Sequence, residues 1–234
     1  MEIVTIAQSV AVISACWAII SGIGAWKREF IGKRQIELAE QVLAKFFEVK
    51  DAIAFIRNPF SSSDEGKTRK KTDDELPSES NLLDRGYIVV ERYVKKESIF
   101  VDFNTLKYKF MASFGAHTDQ IFLETNKTLN SIFRSAQILA HHYWQRQGRV
   151  PMQADEFQKH LNEMNRHEGI FWDIGREDDE IRIKLKQIQE KLEKATAPCF
   201  QEPKKQFDLL TRNLVLMAKE SYQNIVKKFP FYRS

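Results

Sequence analysis

From Ile3 to Trp26 the chain runs for 24 residues without a charged side chain, and no other stretch of it restricts the fold as strongly. About 20 apolar residues in helical conformation cross the hydrocarbon core of a bilayer, and only a helix satisfies its own backbone polar groups there. The spacing therefore predicts a transmembrane helix over 3–26. A cleaved signal peptide would need a basic n-region, whereas only Met1 and Glu2 precede the apolar run. A buried helix of this length would normally carry a charge, and Trp17 and Trp26 suit lipid-facing and interfacial positions.

The flanks set the orientation. Lys27, Arg28, Lys33 and Arg34 crowd the C-terminal side, so the positive-inside rule places the N-terminus outside and residues 27–234 in the cytoplasm. Within the stretch, Ala7, Ala11, Ser14, Ala18 and Gly22 fall on one stripe. Small residues let helices approach closely in lipid, which makes this stripe the candidate surface for self-association of the span.

The 234 residues, with 43% hydrophobic and 29% charged side chains, are enough for one folded body with a real core. A net charge of +4, spread along the chain, argues against a nucleic-acid partner. Cys16 in the apolar stretch and Cys199 far along the chain form no disulfide framework, consistent with a reducing compartment.

After the span, residues 27–57 read as an amphipathic juxtamembrane helix, with Ile36, Ala39, Leu43, Phe46, Ile53 and Ile56 at three- and four-residue steps. No proline separates it from the span, so the two can form one rod. Residues 58–80 hold Pro59, Ser61, Ser62, Ser63, a basic and an acidic cluster and Pro77, and read as a flexible polar loop. Its Gly66-Lys67-Thr68 ends like a phosphate-binding loop, but Ser61 stands where the first glycine belongs.

Residues 81–234 read as a helical bundle. One aromatic-rich helix is predicted over 82–114, with a short strand at Val89-Val90 as an alternative for its start. Further helices are predicted over 118–147, 152–167, 177–195 and 204–229, that over 177–195 carrying heptad-like Ile181, Leu185, Ile188 and Leu192. The expected fold is all-α: a single N-terminal transmembrane helix followed by a cytoplasmic multi-helix bundle. In outline it resembles bacterial inner-membrane proteins built of one N-terminal span and a cytoplasmic helical domain.

Chemistry is sparse. Glu156, His160, Glu163 and His167 repeat Glu-x-x-x-His on one stripe, residue types that can ligate zinc or iron. Di-iron bundles, however, use Glu-x-x-His on two helices with facing glutamates, so solvated local pairs are the competing reading of this stripe. His141 and His142 suit a helix C-terminus. No Gly-x-Ser-x-Gly occurs, and Cys199 has no base nearby in sequence. No cofactor is implied, and an enzyme is not the favoured reading. The apolar connector 169–175 either packs into the bundle or presents Ile170, Phe171 and Trp172 as an interaction patch.

The expected function is a non-enzymatic, membrane-anchored interaction protein that docks a cytoplasmic protein partner or a second copy of itself. The alternatives are a membrane-acting effector, of a defence or toxin-like kind, working by clustering of its span, and a metal-dependent enzyme on the Glu156–His167 stripe.

Overall fold

The computed structural model describes residues 2–200, and at positions 2–14, 16, 18, 20 and 25 the backbone alone. Its first element is a helix of 55 residues, α1 (Glu2–Ile56), on the order of 80 Å long at 1.5 Å per residue. The apolar stretch and the amphipathic stretch are thus one helix, and Gly32 does not interrupt it. Ala39, Val42, Phe46, Val49, Ala52, Ile53 and Ile56 are buried, a stripe at three- and four-residue steps that faces the bundle. Nearer the N-terminus the described side chains from Ala15 to Ile31 are exposed, apart from the half-buried Gly24.

The remaining helices are α2 (Pro77–Val94), α3 (Glu97–Thr105), α4 (Lys107–Phe114), α5 (Asp119–Ile138), the short α6 (Trp144–Arg146), α7 (Ala154–Phe171) and α8 (Glu180–Phe200). A 3₁₀ turn (Ala116–Thr118) precedes α5, and a π-helical turn (Leu139–Tyr143) joins α5 to α6. Among the described residues there is no strand, and the protein is all-α. The described helices up to Cys199 belong to one compact unit. The helix expected over 204–229 lies outside the described residues.

Several helix boundaries differ from the sequence reading. The stretch 82–114 is three helices rather than one. Thr105 donates its hydroxyl to the carbonyl of Asp102 and Asn104 its amide to that of Phe100, and such side-chain bonds compete with the helical ladder just where α3 gives way to α4. Helix α7 passes Gly169 and ends at Phe171. Helix α8 passes Pro198, with the Thr196 hydroxyl donating to the carbonyls of Leu192 and Glu193 in its last turns. Pro77 at the first turn of α2 and Gly115, with φ of 99° after α4, behave as their chemistry dictates.

The core centres on aromatic side chains from α1, α3, α4 and α5. Phe103 stacks on Phe122 at 4.6 Å between ring centroids, Phe46 approaches Phe103 at 6.0 Å, and Phe110 meets Phe122 edge-on at 6.1 Å. All four are fully buried. Helix α8 lies against α1 and α5 through buried Ile181, Leu185, Ile188 and Leu192, with Lys50 donating to Gln189 at 2.6 Å and Lys191 paired with Glu124.

Helix α2 packs closely at Gly86. A Cβ there would lie 2.6 Å from Cβ of Ala140 and 3.1 Å from the carbonyl oxygen of Ala136. Helix propensity favours Gly→Ala by about 1 kcal/mol, but overpacking costs about 1–3 kcal/mol, and both facing groups are backbone or Cβ atoms that have no rotamer to change. Gly86→Ala is therefore expected to lower the urea midpoint, and Ala140→Gly in the same chain to restore part of the loss.

Of the expected 58–80 loop, residues 77–80 are the first turn of α2 and 58–76 are irregular, with polar side chains that tie them to α2. Arg69 holds Glu75 at 2.6 Å and Asp84 at 3.0 Å, Lys71 also reaches Asp84, and the Gly66 amide donates to the Glu91 carboxylate. The Arg69 guanidinium holds the Glu75 carboxyl down to about 2. Gly66 has φ of 87°, and a Cβ there would lie 2.0 Å from the Asp84 carbonyl oxygen. Gly66-Lys67-Thr68 is thus a packing glycine followed by a lysine paired with Asp64, not a phosphate cradle.

Candidate functional site

The most organised polar centre of the described residues surrounds the C-terminus of α1 and is built from two buried arginines. Arg57 immediately follows α1. Its Nε donates to the Ile170 carbonyl at 2.8 Å, and its Nη2 to those of Gly169 at 2.8 Å and Trp172 at 3.1 Å. The same Nη2 lies 2.7 Å from Oδ2 of Asp179, with both side chains almost wholly buried. Oδ1 of Asp179 accepts the amides of Ile181 and Arg182 at 2.9 and 3.0 Å, so this carboxylate caps the N-terminus of α8. One guanidinium thereby satisfies the end of α7 and the cap of α8, and the Arg57 carbonyl accepts the Asp173 amide in return.

Arg92 of α2 does the reciprocal work for α1. It donates to the carbonyls of Ile56 at 3.3 Å, Asn58, and Phe60 at 2.7 Å, and grips the Glu65 carboxylate through Nε at 3.1 Å and Nη2 at 2.7 Å. The guanidinium beside it holds the Glu65 carboxyl below its ordinary value. Cations at helix C-termini complement the terminal carbonyls and the helix dipole. The Trp172 ring completes the centre, 5.9 Å from the Arg92 guanidinium and edge-on to Phe171. Neither arginine was singled out by the sequence reading. The signal was present: Arg57 follows Ile53 by four residues and Arg92 follows Ile88 by four, so each sits on an apolar stripe where a charge requires a partner.

Of the two readings of the 169–175 connector, the structure has the one that packs into the bundle, and not the one that presents Ile170, Phe171 and Trp172 as an interaction patch. They are 6%, 0% and 9% exposed; Arg57 holds the carbonyls of Ile170 and Trp172, and Trp144 packs edge-on against Phe171. Only Ile174 of that connector is an exposed large apolar residue.

The Glu156–His167 stripe is split by its surroundings. Glu156 and Glu163 are exposed, the first paired with Arg146 at 3.4 Å and the second with Arg166 at 3.2 Å. His160 is buried against the Tyr143 ring, and its Nε2 has no hydrogen-bond partner among the described residues. His167 shares a 3.0 Å hydrogen bond between Nδ1 and Oγ of Ser135. Among the described residues no three His, Cys, Asp or Glu side chains are placed to hold a metal ion. A serine beside a histidine is the beginning of a nucleophile and base pair, yet Ser135 is 2% exposed between α5 and α7. This contact joins helices.

Burial pushes the His167 imidazole below its ordinary value, the Arg166 charge acting the same way and Glu163 opposing them. A base held less basic in the folded than in the unfolded chain contributes stability that is complete above the unfolded value, about 6.5 for histidine, and declines as the pH falls below it. The urea midpoint is expected to fall between about pH 7 and pH 5.5 and to fall less in His167→Gln. An unchanged slope would assign the acid sensitivity to other groups. His141 and His142 are exposed on the π-helical turn, and burial raises the Cys199 thiol above its ordinary value, which disfavours the thiolate.

Ala7, Ala11, Ser14 and Ala18 of the small-residue stripe lie outside the residues whose side chains are described. Gly22 is exposed, with open space where a Cβ would stand. Among the described residues no helix is long and apolar enough to cross a membrane. Most side chains of the 3–26 stretch fall outside that description, and with them the predicted span. No protein-family model, curated protein or solved structure matched the chain.

Proposed function

We propose that the chain is a membrane-anchored, non-enzymatic interaction protein: the 3–26 stretch crosses the inner membrane, and the helical bundle docks a cytoplasmic protein or a second copy of the chain. The observation that carries this reading is the continuity of α1 from Glu2 to Ile56. One helix leads from an apolar, uncharged stretch into the middle of the bundle, where its far end is held by Arg57 and Arg92. Trp17, Ile19, Ile23 and Trp26 are 61–72% exposed on it. A row of large apolar side chains bare to water is unfavourable by roughly 1.5–3 kcal/mol for each residue that burial would remove from it, and the hydrocarbon layer is a medium that removes it. Lys27, Arg28, Lys33 and Arg34 follow directly, on the side that the positive-inside rule assigns to the cytoplasm.

The reading is tested by extracting the full-length protein from membranes in a mild detergent, measuring the mass of the complex and identifying what co-purifies. A stoichiometric second protein supports an anchored adaptor. A closed homo-oligomer moves the working part to the span, as in a clustering effector. A stoichiometric bound metal, or recovery of the protein in the soluble fraction without detergent, overturns the proposal.

A further inference from the structure

A groove of about 640 Å³ opens between α1 and α4, beginning about one turn beyond Trp26 at Phe30, with Ile31, Arg34, Leu38 and Lys109 also on its lining. Its floor is fixed by Gln35, which donates to the Ser113 carbonyl across the two helices at 3.2 Å. Phe30 and Ile31 are 49% and 46% exposed, so the wall nearest Trp26 is apolar and uncovered. The Trp26 ring stacks on Phe30 at 5.7 Å, and the Arg34 guanidinium lies 5.7 Å from the Phe30 centroid on the same helix. Helical side chains lean toward the N-terminus, and Arg34 accordingly folds back by a turn toward Trp26. Among the described residues neither Arg34 nor Lys109 makes an ion pair, nor do the neighbouring Lys27, Arg28 and Lys33. Glu37 is the one carboxylate on the groove lining, against the two cations.

Two cations lining a groove beside the exposed Phe30 and Ile31 match a molecule that carries an anionic head next to an apolar body. We propose that this groove seats the headgroup of an anionic phospholipid of the inner leaflet, with Arg34 and Lys109 on the phosphate and Phe30 and Ile31 against the first acyl methylenes. The proposal rests on the reading of 3–26 as a span, which brings the groove to headgroup level. Phe30 stands about 6 Å along the helix axis from Trp26, within the depth of the interfacial layer. Aromatic side chains favour that layer, and juxtamembrane cations are attracted to its anionic lipids. The bound lipid would brace α4 against α1 at the point where the bundle meets the membrane.

The test uses the full-length protein in neutral detergent micelles, titrated with phosphatidylglycerol or with phosphatidylcholine. Bound lipid is counted by native mass spectrometry and the thermal midpoint followed in parallel. Phosphatidylglycerol is expected to bind and raise the midpoint. The double variant Arg34→Gln, Lys109→Gln should weaken it roughly fivefold for each cation and about thirtyfold together. The remote variant Lys186→Gln, Lys194→Gln, which removes the same charge from exposed positions on α8, should leave it unchanged. Equal binding of the two lipids, or equal loss in the two variants, overturns the proposal. So does inorganic phosphate that displaces the lipid, which would make the groove a simple anion site. Recovery of the protein from cells without detergent would sink the span reading and this one together, whereas loss of lipid selectivity in a membrane-fractionating protein sinks the groove alone.

Discussion

Arg57→Met is expected to lower the unfolding free energy by about 3–5 kcal/mol, the range found when one partner of a buried ion pair is removed. For a chain of this size that is a drop on the order of 10 °C in the thermal midpoint. The size follows from what the change leaves behind. The Asp179 carboxylate, 3% exposed, loses its counter-charge and keeps only the amides of Ile181 and Arg182. The carbonyls of Gly169, Ile170 and Trp172 lose their donor at the end of α7. Methionine fills much of the same volume, so the loss is electrostatic rather than a cavity. Arg57→Met combined with Asp179→Asn removes the orphaned charge while leaving an asparagine able to cap α8. The double variant is expected to be more stable than Arg57→Met alone. If denaturant unfolding shows the two losses simply adding, the pair is not coupled and the assignment fails.

Arg92→Met has the second largest effect, about 2–4 kcal/mol, lower because the groups it abandons lie nearer water and can be partly rehydrated. Its distinctive consequence is local. Arg92 joins α1's terminal carbonyls to Phe60 and Glu65, so its removal frees the start of the 58–76 segment while Arg69 still holds the later part to Glu75 and Asp84. Brief trypsin treatment is expected to cut first after Lys67 in the variant, with the parent resistant there. Glu65→Gln should give a weaker form of the same pattern. Identical cleavage in parent and variant would mean that Arg92 does not tether the segment.

Both arginines show where sequence reading stops. Apolar periodicity marked the buried faces of α1, α5 and α8, since three- and four-residue spacing records which side of a helix avoids water. It placed Ile53, Ile56, Leu185 and Ile188 inside, where the structure has them. The absence of proline left room for the apolar and amphipathic stretches to join, and α1 runs through both. The same periodicity cannot say where a helix pauses when the apolar pattern carries on. Lys95, Lys96 and Leu106 interrupt 82–114 through local backbone geometry that leaves the hydrophobic spacing intact. The polar centre escaped for a related reason: Arg57 is more than a hundred residues from Asp179 and from the α7 carbonyls, and nothing local links it to them. The histidine stripe misled because equal spacing on a helix says nothing of what faces it. His160 and His167 meet α5 and the π-helical turn, while Glu156 and Glu163 look outward.

The unbroken α1 also fixes an angular relation. Each residue of an α-helix advances the chain by about 100°, so the azimuth at which Trp17 and Ile23 leave the axis is set by the same phase that turns Phe46 and Ile53 into the core. One residue inserted between Lys27 and Arg34 would swing the bundle by about 100° against the apolar stretch, while seven, close to two full turns, would nearly restore the alignment. Whatever grips the N-terminal half of this helix therefore decides which side of the bundle it presents, and a twist applied at one end is delivered as a rotation at the other.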